Sequence, residues 1–168
     1  MPKVLFICTG NYYRSRLAEI LFNYHAKNAG LDWEAKSRGL VPETNLKGLS
    51  ESAKRYLEQR ALGVGLDTAR DPRFISVEDI EKSDYIIALN RQEHEPLLKT
   101  RFGQIPKTLE KKGRLTYWNV ADLPMRLGFM ERLLGPKEPR DEESEASGTE
   151  HVDFGVQALV KRLQEGKK

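Results

Sequence analysis

Val4-Leu5-Phe6-Ile7-Cys8-Thr9-Gly10-Asn11-Tyr12-Tyr13-Arg14-Ser15 is the stretch on which the fold turns. Its first half is a continuous apolar run of mostly branched residues, the pattern of a strand buried on both faces. Thr9-Gly10-Asn11 then makes a short polar turn, and from about residue 14 Leu17, Ile20, Leu21 and Tyr24 recur at helical spacing as far as Gly30, a natural stop. A buried strand that turns directly into an amphipathic helix opens an α/β unit with a mostly parallel sheet.

Outward from that unit, the same alternation continues. Residues 33–37 read as a short second strand, and 38–49, punctuated by Gly39, Pro42 and Gly48, as a long loop. Ser50 caps a helix over 51–61 that carries Ala53, Tyr56 and Leu57. Ser76-Val77-Glu78-Asp79 has the form of a capping box and starts a short helix. Residues 85–89 form the next buried strand, followed by a helix to about 102 that Pro96 should kink or restart. Residues 114–119 are the last strand, and Val152, Val156, Leu159, Val160 and Leu163 stripe a closing helix. Between 135 and 150 the composition shifts to Gly, Pro, Ser and acid. From Lys137 to Glu150 there are six acidic residues against two basic, which predicts a flexible acidic loop.

The chain of 168 residues fits one domain, 1–168. A mean hydropathy of −0.61 and the lack of an 18-residue apolar run exclude a spanning helix, and Val4–Ile7 is too short for a signal-peptide core. Twenty-eight Lys and Arg against 25 Asp and Glu, with no basic block, give no case for nucleic acid. One Cys excludes an internal disulfide and any Cys-clustered zinc site, and points to a reducing compartment, the cytoplasm. His94, between Glu93 and Glu95, has no partner at metal-ligand spacing and reads as a surface helix residue; His25 and His151 read the same way. The expectation is a site with no metal and no cofactor.

Cys8 falls at the carboxyl end of the first strand, where open α/β sheets bind ligands. Gly10 and Asn11 tolerate left-handed backbone angles, and such a turn points successive N–H groups inward as an anion nest, with the positive helix end beyond it. Arg14, six residues after Cys8, can close the ring with a planar charged fork suited to phosphate oxygens. A thiol in such a cup is favoured as thiolate, Ser15 is placed to donate to it, and the thiolate can attack phosphorus without an adjacent base. On this reading Thr9, Gly10, Asn11, Tyr12, Tyr13, Arg14 and Ser15 bind phosphate. The bland alternative, a small buried Cys at a strand end, would be preferred for an isolated C-x5-R. The strand, the Gly-Asn turn, Arg-Ser and the amphipathic helix together favour the anion site.

V-L-F-I-C-T-G-N-x-x-R-S-x-x-A-E over 4–19 resembles the low-molecular-weight protein tyrosine phosphatases. Residues 76–80 and 84–90 are similar to that family's central helix and strand. Trp118-Asn119-Val120-Ala121-Asp122 is similar to the segment bearing its general acid. The resemblance implies a single-domain, flavodoxin-like α/β fold with a four-stranded parallel sheet flanked by helices on both faces. It also implies a phosphocysteine on Cys8, phosphoryl binding by Arg14, and Asp122 as acid and then base. The substrate would be a phosphorylated protein, foremost phosphotyrosine, or a small phosphomonoester. Asp71-Pro72 is the runner-up for the acid but comes too early in the chain.

Four positions depart from the pattern. Tyr13 stands where a second Cys is common, Tyr12 where the family has a smaller aliphatic residue or, in phosphoarginine phosphatases, Thr, and Arg16 where Pro usually begins the helix. Leu123, Pro124 and Met125 stand where aromatics often grip the substrate ring, a role that could fall to Tyr12 or Trp33. The alternatives are a weakly catalytic phosphoprotein-recognition module, a phosphoarginine phosphatase, and arsenate reductase, which needs further cysteines that this chain lacks.

Overall fold

The computed structural model describes residues 1–42, 45–62, 65, 67–120 and 142–166, without the side chains of 142–147. Four parallel strands, β1 (Lys3–Cys8), β2 (Glu34–Gly39), β3 (Tyr85–Ala88) and β4 (Leu115–Tyr117), lie in the order β2-β1-β3-β4. β1 therefore has a neighbour on each side, with Cys8 opposite Gly39 and Ile7 opposite Ala88. The strand order reverses between β1 and β3, so their carboxyl ends flank the crevice where such sheets take ligands.

The strict alternation of β1 divides the core. Val4, Phe6 and Cys8 face a layer built from α1 (Arg14–Asn28), α2 (Glu51–Gln59) and α6 (Glu142–Gln164). Leu5 and Ile7 face α3 (Val77–Glu81), α4 (Arg91–Phe102) and α5 (Ile105–Lys111). Both faces of the sheet are thus covered, as the apolar runs of β1 and β3 require. Burying residues such as Phe6 and Ile7, both at 0% exposure, stabilises the fold by about 1.5–3 kcal/mol each before entropy is counted. The stripe of Val152, Val156, Leu159, Val160 and Leu163 seats α6 against the α1 side as expected. α3 begins with the expected capping box: the Ser76 hydroxyl accepts from the Asp79 N–H, and the Asp79 carboxylate accepts from the Ser76 N–H.

Several expectations change. Pro96 does not restart α4, which runs through it; the carbonyl it strands, that of Gln92, lies at an exposed residue where water can satisfy it. α5 has little periodic signal in the sequence, because only Pro106 and Leu109 of its seven residues turn inward. Residues 135–141 of the expected acidic loop lie outside the described residues, and 142–150 form the start of α6. Glu and Ala are good helix formers, carboxylates suit a helix amino end, and Thr149 and Val152 carry the buried face forward.

Candidate active site

Cys8 ends β1 and is 3% exposed, with its Sγ 2.9 Å from the Ser15 hydroxyl. Between them residues 9–13 bend back on themselves with Asn11 at φ 53°, left-handed as its residue type allows. Three carbonyls here are spent on the scaffold. Those of Cys8 and Thr9 accept from the N–H groups of Leu40 and Val41, and that of Tyr12 accepts from Ser50 N–H. Among the described residues no side chain caps α1, whose first turn holds no acid, so the helix end offers N–H donors to an anion.

Gly39, at the end of β2, is pressed against this loop. A Cβ there would lie 3.0 Å from both Thr9 O and Gly10 C. Asn11 is fully buried and holds the bend by side-chain bonds in several directions. Its amide donates to the hydroxyls of Ser15 (2.9 Å) and Ser37 (2.8 Å), and its Oδ1 accepts from Arg73 N–H (2.9 Å) and an Arg70 Nη (3.3 Å). Ser37 in turn donates to Glu19, on which Arg16 and Arg70 also converge.

Arg14 opens α1 and is 1% exposed. Its guanidinium forks onto Glu93 at 2.7 and 3.2 Å and donates to the Val120 carbonyl at 3.0 Å. Glu93 belongs to the first turn of α4, where Asn90 caps the helix by accepting from Glu93 N–H and donates to the same Val120 carbonyl. Beneath it His94 is completely buried; its Nδ1 accepts from Asn90 N–H at 3.0 Å. Burial first, then the charge of Arg14, pushes its pKa down to about 3, so the ring is neutral.

Cys8 and Ser15 are in contact, with Thr9, Gly10, Asn11 and Tyr12 on the intervening loop, while Arg14, next to Ser15 in the chain, turns its guanidinium to Glu93 and Val120. Tyr13 is 5% exposed and packs in the core, so it offers the cup only its backbone. Asp122 lies outside the described residues, as do Leu123, Pro124 and Met125; the chain reaches Arg14 two residues earlier, at Val120. Asp71 is committed elsewhere. It accepts from Gly48 N–H and pairs with Lys47, and the Gly48 bond foremost holds its carboxyl below the usual range. Trp33 cannot grip a substrate, because it precedes β2 at the amino end of the sheet, opposite Cys8.

His94 corrects the surface reading outright. Its flanking glutamates suggested exposure, but His94, Leu98 and Phe102 recur at four-residue spacing and all are buried. That spacing was the available signal. His25 is half-buried and pairs with Asp153, which also accepts from the Tyr56 hydroxyl. Among the described residues no group of His, Cys, Asp and Glu is arranged to hold a metal, and no helix is long and apolar enough to cross a membrane.

The model of a family described as low molecular weight phosphotyrosine protein phosphatase matches residues 3–119. The protein-arginine-phosphatase of Bacillus subtilis (strain 168) is 29% identical over 101 residues, 60% of this chain and 63% of that protein, so the match spans less than two-thirds of the relative. A low molecular weight phosphotyrosine phosphatase from Vibrio cholerae O395 has a similar structure, with TM-score 0.73 and 22% identity over 99% of both chains. So does an arginine phosphatase from Geobacillus stearothermophilus, with TM-score 0.68 and 22% identity over 99% of this chain and 95% of that one. At such identities these two structures speak for the fold alone.

Proposed function

Since the chain belongs to the low molecular weight phosphotyrosine protein phosphatase family, we propose that it hydrolyses phosphomonoesters through a phosphocysteine on Cys8. The observation that carries this reading is the enclosed sulfur: Cys8 Sγ lies 2.9 Å from the Ser15 hydroxyl, at the base of a loop whose Thr9 and Tyr12 carbonyls are tied outward. The Ser15 hydroxyl donates to the thiolate, and Arg14 and the loop N–H groups hold the three non-bridging oxygens.

In the first step the thiolate forms the S–P bond as the ester P–O bond breaks, and the departing oxygen takes a proton from Asp122. In the second step Asp122 removes a proton from water, whose oxygen attacks phosphorus as the S–P bond breaks, releasing phosphate and the thiolate. Proton transfer of this kind contributes about 10²–10⁴-fold. The role of Asp122 rests on the family pattern and on Val120 lying against Arg14.

Protein phosphotyrosine is the leading substrate. Phosphoarginine is the second reading, favoured by the curated Bacillus relative. The lone Cys suits a reducing compartment, the cytoplasm. Hydrolysis of para-nitrophenyl phosphate is the test. It should vanish in Cys8→Ser, fall at least about 10²-fold in Asp122→Ala, and ignore chelators. Full turnover by Cys8→Ser would overturn the mechanism, and phosphate binding without turnover by the unmodified chain would replace it with a recognition role. Rates on phosphotyrosyl and phosphoarginyl peptides decide between the two substrates.

A further inference from the structure

Behind the loop, on the far side of Asn11 from Cys8, a cavity of about 380 Å³ opens between α1, the edge strand β2 and residues 67–73. Five cationic side chains line it, those of Arg16, Lys36, Arg38, Arg70 and Arg73, against the carboxylates of Glu19, Glu34 and Asp67. Among the described residues two of the three carboxylates are engaged, while Glu34 is not, so with Asp79 counted the cluster holds five positive groups against four negative. Glu19 takes Arg16, Arg70 and the Ser37 hydroxyl, and Asp67 accepts from the N–H groups of Ala69 and Arg70. Arg38 is matched from outside the cavity by Asp79 at 2.7 Å.

Cationic donors remain. Among the described residues no hydrogen bond or ion pair engages the side chains of Lys36 and Arg73, and Arg16, 1% exposed, has a buried Nε without a partner. Arg70 stands at 10% exposure beside Arg16 and Arg73. Burial foremost, and then those two charges against the pull of Glu19, lower its pKa. The cluster therefore carries more positive charge than it neutralises, in a walled space.

We propose that this cavity is a second anion site, separate from the Cys8 cup, that takes a small phosphate-class oxyanion. Lys36 and Arg73 supply the free charge at its mouth, and Arg16 and Arg70 the buried guanidinium wall. The inference goes beyond the phosphatase reading and does not need it, because it concerns binding alone. Arg70 touches both Asn11 and Ser37, so the cavity wall and the loop share a side chain although each anion would have donors of its own.

The experiment is an amide chemical-shift titration of the full chain with inorganic phosphate. Amides of residues 34–38 and 67–73 should follow an isotherm of their own, distinct from that of residues 9–15. In the double variant Lys36→Gln/Arg73→Gln, which removes two partnerless surface charges, the first isotherm should weaken about tenfold, the worth of roughly one charged hydrogen bond. The isotherm of residues 9–15 should not move. One isotherm shared by both sets, no response at 34–38 and 67–73, or an undiminished response in the double variant would each overturn the site. Failure of the phosphatase reading would be seen separately, as silence at residues 9–15 or absent turnover.

Discussion

The loop wall of the cup, residues 9–13, leads along the chain to Arg14, and the α4 wall, Asn90 to His94, meets its guanidinium; the two are built by different means. The loop wall is backbone. Its shape is set by the left-handed Asn11, by the bonds that Asn11 makes, and by Gly39 pressed against Thr9 and Gly10. The α4 wall is side chain: a carboxylate forked onto Arg14 above a neutral, buried imidazole. A backbone wall is coupled to the fold, so disturbing it costs stability and rate together. A side-chain wall can be altered one property at a time, so charge, proton binding and catalysis should separate there.

His94 offers the largest expected effect. Its pKa is about 3 in the folded protein and near the ordinary 6.5 in the unfolded chain. Below about pH 6.5 the unfolded chain takes up a proton that the native ring refuses, so stability falls with pH down to about pH 3, where both states bind it. Between about pH 7 and pH 4 this one group removes up to about 3 kcal/mol. His94→Leu forfeits the acceptor for Asn90 N–H, costing about 1 kcal/mol near neutrality, but it should flatten the acid slope. Urea unfolding at a series of pH values measures it; parallel stability profiles for the two proteins would refute the neutral ring.

On the loop wall, Asn11→Ala loses the network and faces the left-handed penalty of about 1–2 kcal/mol. We expect kcat/KM to fall about a hundredfold with a lowered Tm. Asn11→Gly restores the backbone freedom but no hydrogen bond, so it should recover stability and little of the rate. Equal recovery of both would mean that the side-chain bonds do nothing for the cup. Gly39→Ala pushes a methyl against backbone atoms that cannot swing aside and should cost about 1–3 kcal/mol, with a matching loss of rate. Lost stability at an unchanged rate would uncouple the loop from the fold.

This division also explains what could be read before the structure. Cys8 through Ser15 are contiguous, and a strand, a Gly-Asn turn and a helix start each leave a local signature, so that wall was legible, as were the buried strands and the capping box at Ser76. Glu93 and His94 reach the site only because β3 pairs beside β1 and delivers the α4 amino end to Arg14. Nothing near residue 93 in sequence encodes that partner, and two glutamates disguised a buried histidine. Arg70 is equally remote from Asn11, 59 residues away. The acidic composition of 142–150 speaks against burial, but Glu and Ala also favour helix, and α6 begins there.

The smallest effect is expected at Glu93, and it discriminates between two meanings of its contact with Arg14. If the carboxylate aims the fork, Glu93→Gln keeps the shape, loses the charge, and lowers kcat about tenfold, the worth of roughly one charge-assisted bond. KM should hold or fall in that variant, because a negative group near the incoming phosphate dianion has been removed. If Glu93 instead blocks the fork, the same substitution releases Arg14, and kcat/KM rises. The sign of the change in kcat therefore decides whether the side-chain wall serves the reaction or restrains it. Glu93→Ala, which frees the guanidinium entirely, should exaggerate whichever sign Gln reveals.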